Sequence, residues 1–232
     1  MKIAVMQPYI YPYLGYFQLI YAVDKFIIYD DVNYIKGGWI NRNNLLINNK
    51  ANLFTLPLQH ASPNKKINEI HLVNDNRWKT KLSLTIERNY KKAPSFHKVF
   101  PEIKAGLTTE ENNIALFNYN QLKVVCKYLE IDTEIIPSSV IYSNQHLKGQ
   151  FRIIDICMQE KATTYINAIG GMNLYDKDEF SKNDIRLQFP KMMDIKYDQG
   201  LNDFIPSLSI IDTMMYCSVD EIKQMLQQFS LQ

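Results

Sequence analysis

An apolar strand, a loop of tyrosines and prolines, a helix and a second apolar strand open the chain. This order constrains the fold more than any other stretch. Ile3-Ala4-Val5-Met6 reads as the first strand. It feeds Gln7-Pro8-Tyr9-Ile10-Tyr11-Pro12-Tyr13-Leu14-Gly15-Tyr16 and then an apolar run from Phe17 to Val23. After Asp24 comes the second strand, Lys25-Phe26-Ile27-Ile28-Tyr29, closed by Asp30-Asp31. Two strands joined through one helix run parallel, and the loop leaving the first lies at their carboxyl ends, where α/β proteins bind ligands. Here the loop is built from tyrosine and proline where dinucleotide loops use glycine. No glycine-rich dinucleotide fingerprint, P-loop or G-x-S-x-G is present.

The rest of the chain keeps alternating between the two periods. Residues 43–48 and 53–58 read as a hairpin turned at Asn48-Asn49-Lys50, and residues 67–73 alternate well enough for a further strand. From Asn76 the period lengthens, and Trp78, Leu82, Leu84, Ile86 and Tyr90 mark an amphipathic helix that stops near Ala93-Pro94. Pro94 and Pro101 are expected to break up the next helix. Thr108-Thr109-Glu110-Glu111 is expected to start another, with its acids favoured by the helix dipole. Then follow a strand at 134–136, a helix at 148–160, a strand at 163–166, a short helix at 175–180 and a strand at 185–189. The tail from Ser209 reads as helical, with Ser218 an N-cap candidate. The prediction is one α/β domain over residues 1–232, with a mainly parallel sheet, a short β-hairpin and a helical insertion near 76–130.

Composition removes several classes of function. Lys plus Arg number 26 against 24 for Asp plus Glu, a formal net charge of +2, so electrostatics give no reason to expect a nucleic-acid partner. No stretch reaches the length of a membrane span, and Gln7-Pro8 interrupts the opening strand too early for a secretory leader. Cys126, Cys157 and Cys217 are too widely spaced for a C-x-x-C pair. Cys126 and Cys157 fall on apolar helix faces, and buried free thiols fit a cytoplasmic location. His60, His71, His97 and His146 are scattered, so spacing supports no histidine metal site.

Four groups of residues carry chemistry. Asp30-Asp31 closes a strand at its carboxyl end. Paired acids there can hold a ribose, a metal or an amine, and can raise one another's pKa so that one acts as a base. Alternatively, one caps the next loop and the other faces solvent. In Lys36-Gly37-Gly38-Trp39-Ile40-Asn41-Arg42, Trp39 offers a stacking face and Asn41 both a donor and an acceptor. Lys36 and Arg42 suit phosphate or carboxylate; the alternative is a turn with an incidental tryptophan. Lys148 and Arg152 lie four apart on a helix start near Ser138-Ser139, suited to a diphosphate or simply to water. Tyr197-Asp198-Gln199-Gly200 and the run from Phe204 to Asp212 form a dense loop before a helix, able to close over a ligand. Its polar candidates are Gln199, Ser207, Ser209 and Asp212, while Phe204 and Leu208 belong with the core. His60, after a strand, is the best-placed histidine for a base.

Two resemblances follow from these residues. Pro8-x-x-x-Pro12-x-x-Gly15 before a helix is similar to the H-x-G-H loop of nucleotidylyltransferases and pantothenate-type ligases, with Tyr13 and Tyr16 at the histidine positions. That resemblance implies a Rossmann-like, nucleotidylyltransferase-like start, with phosphate at the free amides of the helix start. Without imidazoles, Tyr13 and Tyr16 become walls of a pocket. The whole chain resembles the WbqC-like family. The resemblance is carried by Met6-Gln7-Pro8-Tyr9, by Pro12 to Ile20, by Tyr29-Asp30-Asp31-Val32, by Tyr34-Ile35-Lys36 and by Gly38 to Arg42. It continues in Ser138-Ser139, Tyr165, Gly170, Tyr175, Phe180, Tyr197 and Phe204 to Asp212. Tyr216-Cys217-Ser218 departs from the usual Cys-Gly pair and should alter only a helix end.

That family resemblance implies a role in bacterial O-antigen or other surface-polysaccharide synthesis, through transfer of an amino acid or other acyl group to an amino sugar. It carries no catalytic residues over, so the expected site rests on the residues themselves. Asp31 is the expected base with Asp30 its partner, and His60 the other candidate. Tyr9, Tyr13, Tyr16 and Trp39 wall the pocket. Lys36, Asn41, Arg42, Lys148 and Arg152 bind the nucleotide diphosphate, and Tyr197 and Gln199 close over it. The expected partners are a nucleotide-linked amino sugar and an acyl donor, either an acyl-CoA or an acyl group activated by ATP, with no metal assigned. The oligomeric state stays open. Two alternatives stand beside this: a nucleotidylyltransferase-like enzyme using ATP or CTP with magnesium, and a non-catalytic sugar-nucleotide-binding accessory protein.

Overall fold

The opening unit sets the frame for everything after it. The computed structural model describes residues 1–232. The first half comprises β1 (Lys2–Met6), α1 (Leu14–Tyr21), β2 (Lys25–Ile28), β3 (Arg42–Ile47), β4 (Lys50–Thr55), β5 (Leu58–Gln59), β6 (His71–Leu72), α2 (Asn76–Tyr90), α3 (Phe96–Leu107) and α4 (Ile114–Tyr128). The second half comprises β7 (Glu134–Ile136), α5 (Gly149–Gln159), β8 (Thr164–Ile166), α6 (Lys177–Ser181), β9 (Arg186–Gln188), β10 (Pro190–Met192), α7 (Ile210–Tyr216), α8 (Val219–Leu226) and β11 (Phe229–Leu231). No helix is long and apolar enough to cross a membrane.

The central sheet has five strands in the order β7-β2-β1-β8-β9. Every pairing in it is parallel. Counted along the chain this is the 3-2-1-4-5 order of a Rossmann-like, doubly wound fold. The direction of winding reverses between β1 and β8, and that gap is the topological switch point.

The two-residue period of the strands divides the core. Ile3, Val5, Ile27, Tyr165 and Leu187 point to one face, where they join Ile153 and Ile156 of α5 and Phe180 of α6. Ala4, Phe26, Ile28 and Ile166 point to the other face and join a cluster of 43 buried residues. That cluster takes Phe17, Leu19 and Ile20 from α1, Ile86, Val99 and Phe117 from α2 to α4, and Ile211, Met214 and Ile222 from α7 and α8.

The β3–β4 hairpin turns at Asn48 and Asn49, whose φ angles of 51° and 59° are both left-handed. Two such residues give the turn that matches strand twist, and glycine suits the second position best. Asn49→Gly is therefore expected to stabilise the protein by about 0.5 kcal/mol, read as a higher urea midpoint with unchanged slope.

Three local expectations fail for identifiable reasons. Residues 67–73 form a 3-10 turn and the two-residue β6 rather than one strand. The backbone there is already taken, because Ile67 N donates to Val32 O and Asn68 N to Asp30 O. Helix α3 continues through Pro101 from Phe96 to Leu107. Pro101 is exposed, so the carbonyl it orphans meets water, while Val99, Ile103 and Leu107 are buried along the inner face. Helix α4 starts at Ile114 and not near Thr108, because Asn113 Oδ1 accepts from Ala115 N and Leu116 N as the N-cap. The antiparallel pair β10–β11 was not foreseen, since Pro190 argues against a strand.

Candidate functional site

A cleft opens at the switch point, beyond the carboxyl ends of β1 and β8. Its first chamber, of about 480 Å³, is lined by Met6, Gln7, Pro8 and Tyr9 leaving β1 and by Asn167, Ala168, Gly170 and Gly171 leaving β8, with Tyr29, Trp39 and Tyr175 around them. A second chamber of about 440 Å³ shares Met6, Tyr9, Tyr16, Trp39 and Ala168 with the first, and adds Tyr13, Gly15, Asn43, Asn44, Met192 and Ser207. A third, smaller arm of about 180 Å³ shares Tyr13, Gly15, Met192 and Ser207 with the second and reaches Asp194, Tyr197, Phe204 and Thr213. Through these shared walls the three spaces adjoin in a row, first to second and second to third, as one groove.

The loop after β1 forms the groove's aromatic wall, and it is rigid. Tyr9 packs edge-on against Tyr16 at 5.1 Å, and Tyr16 against Phe26 at 5.3 Å. The Tyr16 hydroxyl donates to Gln7 O at 2.9 Å. Tyr11 sits at φ 40°, a conformation costly for a bulky residue, in the range of about 1–3 kcal/mol. Its surroundings hold it there. Asn43 Nδ2 donates to Ile10 O at 3.1 Å and to Tyr11 O at 2.6 Å, and Ser209 Oγ donates to Tyr11 O at 2.9 Å. The buried Tyr11 hydroxyl donates to Gln121 Oε1 at 2.7 Å. Gly15 is needed for close approach, since a Cβ there would lie 2.4 Å from the Tyr13 ring.

Trp39 stands between the two larger chambers with half of its surface exposed (50%). A half-exposed indole facing an open chamber is a ready stacking face. The Arg42 guanidinium lies over its ring at 5.5 Å, and the buried Arg42 Nε has no hydrogen-bond partner. Around the mouth, Ile35, Ile169, Met172 and Leu174 are also exposed.

The remaining expected residues fall into two groups. Asp30 and Asp31 are buried together, with 2% and 3% exposure. Asp30 Oδ1 accepts from Ser138 Oγ at 2.8 Å and from Ser139 N at 3.1 Å. Asp31 accepts from Arg152 Nη2 with both oxygens, at 2.6 and 2.5 Å, and from Ser139 Oγ. Burial pushes the Asp30 carboxyl above its ordinary value, and its hydrogen bonds only partly oppose this. Burial also pushes Asp31 up, but the Ser139 hydroxyl and the Arg152 guanidinium outweigh it and hold that carboxyl below the usual range. Arg152 is thus turned inward onto Asp31 rather than outward to a diphosphate. It also lies over the Tyr29 ring at 4.9 Å, which puts this buried pair directly behind the first chamber's wall. Asn41 is likewise committed, accepting from the Tyr34 hydroxyl at 3.0 Å and donating to Leu56 O at 2.7 Å.

His60, Lys36 and Lys148 are exposed and line none of the three spaces. Tyr197 lines the third arm, and Gln199 stands behind it, donating to Asp212 Oδ2. So Tyr9, Tyr13, Tyr16, Trp39 and Tyr197 meet around one groove, while the acids expected as bases do not. The stretch Asn167 to Gly171 is not among the expected site residues, although Gly170 helps carry the family resemblance. The rule that singled out Asp30-Asp31 at the end of β2 applies with more force at β8, because β8 borders the switch point. Gly171 fits there closely, since a Cβ would lie 2.6 Å from Asn167 Nδ2.

These features define a class: a doubly wound α/β protein whose ligand groove crosses the switch point between aromatic walls. Within that class the chain belongs to the WbqC-like protein family, whose model matches residues 7–224. It is 31% identical over 216 residues to the uncharacterized protein Rv1507c of Mycobacterium tuberculosis (strain ATCC 25618 / H37Rv), a match covering 92% of each chain. No solved structure matches it.

Proposed function

We propose that the protein transfers an acyl or aminoacyl group to the amino group of a nucleotide-linked amino sugar in the synthesis of bacterial O-antigen or another surface polysaccharide. The observation that carries this reading is the joined pair of chambers at the switch point, with Trp39 exposed between them. Acyl transfer needs two bound ligands whose reactive ends meet, and chambers of this size each suit a ligand of nucleotide-sugar or pantetheine dimensions. Trp39 and Tyr9 offer faces for a base or sugar ring, with the Arg42 guanidinium over the Trp39 ring for the diphosphate. The donor is a thioester such as an acyl-CoA, or an acyl adenylate. Asp31 and Arg152 serve by holding the wall at Tyr29 and not by moving a proton, because the paired guanidinium helps hold the Asp31 carboxyl below its usual range.

A second reading has one observation in its favour: no aspartate, glutamate, histidine or lysine lines either large chamber. A non-catalytic sugar-nucleotide-binding protein would look like that. It predicts tight binding without turnover.

Calorimetry with UDP- and dTDP-linked amino sugars tests the common core of both readings. Wild type should bind, and Trp39→Ala should weaken binding by about 10–100-fold through loss of one stacking face. Stability should hardly change, because half of this side chain already faces solvent. Absence of binding by wild type, or equal binding by the variant, overturns the assignment of this groove.

A further inference from the structure

The third arm ends on a buried charge that nothing so far has used. Asp212 is fully buried, at 0% exposure. Its Oδ1 accepts from the Tyr90 hydroxyl at 2.9 Å. Its Oδ2 accepts from the Tyr197 hydroxyl at 2.8 Å and from Gln199 Nε2 at 2.8 Å. All three donors are neutral, and no cation pairs with this carboxylate. That contrasts with Asp31, whose buried carboxylate is paired with Arg152. A buried carboxylate is stabilised by several hydrogen bonds, but its negative field is not cancelled by them. Tyr197 and Thr213 both line the arm, and Thr213 Oγ1 donates to the Tyr197 hydroxyl at 3.1 Å. The charge therefore reaches the arm through a phenol.

We infer that this arm is the subsite for the substrate's amine, with Tyr197 touching the ammonium and Asp212 behind it receiving a proton through the phenol. The inference rests on the acyl-transfer reading above and supplies the base that the two large chambers lack. The step balances as follows. The ammonium gives one proton to Tyr197 Oη as the phenol gives its own to Asp212 Oδ2. The freed nitrogen lone pair forms the N–C bond to the acyl carbonyl of the activated donor, and the bond from that carbon to the thiolate or adenylate leaving group breaks. The second nitrogen proton departs with the leaving group, and Asp212 returns its proton through Tyr197 to solvent.

The surroundings suit this role. Burial pushes the Asp212 carboxyl above its ordinary value, against the bonds from Tyr197, Gln199 and Tyr90, which makes it a better proton acceptor. The titratable groups facing it are Tyr90 of α2, Tyr197 of the preceding loop, and Tyr216 and Cys217 at the end of α7. Burial pushes all of these up, Cys217 to about 12, so each is neutral when Asp212 is charged. Asp194, at the mouth of the arm, is exposed and paired with Lys196 at 3.6 Å, where solvent screens it.

The test compares matched pairs of probes by calorimetry: dTDP-4-amino-4,6-dideoxyglucose against dTDP-6-deoxyglucose, and UDP-glucosamine against UDP-glucose. Wild type should prefer the amine of at least one pair by about tenfold or more, the scale of a hydrogen bond to a charged group. Tyr197→Phe keeps the ring and should reduce that preference to about unity while leaving the hydroxyl probe's affinity within about threefold. Asp212→Asn should do the same if it folds. In wild type the preference should fall as pH is lowered through the raised carboxyl value, because protonation removes the field. A purely structural role for Tyr197 would weaken both probes equally. Undiminished preference in Tyr197→Phe overturns the subsite alone, as does its loss in Asp194→Asn only. Failure of wild type to bind any of the four overturns the acyl-transfer reading with it.

Discussion

Replacing Arg152 with methionine should destabilise the protein by about 3–5 kcal/mol at neutral pH, because it strands the Asp31 carboxylate in a site with almost no access to water. The guanidinium makes both of its bonds to Asp31 through one nitrogen, donates through Nε to Asn144 Oδ1 at 2.8 Å, and covers the Tyr29 ring. Methionine keeps an unbranched side chain of somewhat smaller volume and loses every one of these. The sign of the pH dependence follows from the direction of the shift. Asp31 is held below its unfolded value, so in wild type the pair contributes stability that is complete above a pH of about 4 and is lost as pH falls through the lower folded value. In the variant, burial acts with only the Ser139 hydroxyl and the Gln145 side chain against it, and the folded value is expected to rise above the unfolded one. Stability of the variant then increases as the solution is acidified, and the gap to wild type narrows. Urea unfolding followed by tryptophan fluorescence at pH 7.5 and pH 4.5 reads this directly. The double variant Asp31→Asn/Arg152→Met should recover most of the loss at pH 7.5. A gap unchanged between the two pH values would mean that the cost lies in packing and not in charge.

Asn43→Ala should cost about 2–4 kcal/mol and also weaken ligand binding, an outcome not expected of an ordinary strand residue. Its amide donates to two successive carbonyls of the loop, Ile10 and Tyr11, and its Oδ1 accepts from Asn44 N at 2.8 Å. Removing it leaves the Ile10 carbonyl without this donor and leaves Ser209 as the remaining side-chain donor to the Tyr11 carbonyl at positive φ. The strained loop then relaxes, and with it the Tyr9 face on the groove. Asn43→Asp separates the two contributions. It preserves size but sets an acceptor against two acceptors, so it should be at least as damaging as alanine. An aspartate variant as stable as wild type would show that the amide donates nothing of consequence.

The legible part of the fold was the part written in period and breakers. β1, α1 and β2, the helix from Asn76 to Tyr90 and the strand at Glu134 could be read because apolar spacing and flanking Gly, Pro or Asp agree there. Pro101 and residues 67–73 misled because tertiary partners overrode the local signal: a buried inner face carried α3 past its proline, and the 30–34 segment claimed the backbone bonds of 67–68. In the groove, Tyr9, Tyr13, Tyr16 and Trp39 stand where the sequence placed them, beside the carboxyl end of β1, although core packing claims Tyr11 of the same loop and most of Tyr16. The burial of Asp31 on Arg152 was not legible, because the two are far apart in sequence and both look like surface groups when read alone. Asp212 was visible as a polar residue in an apolar run, but its distance from any cation is a property of the packed chain.

The register of β1 carries a consequence for how the molecule is made. β1 finds β2 within its own first 28 residues, yet its other edge pairs Lys2 with Thr164 and Ile3 with Tyr165. A ribosome must therefore deliver most of the chain before that edge is covered, and until then an apolar strand waits with open backbone groups. The groove needs the same closure, for its two banks come from the opening loop and from the segments after residue 166. Binding competence should thus arrive as a late, single event in synthesis, after the helices between the banks have packed, and chains stalled before β8 should be clients for chaperones rather than partly active fragments.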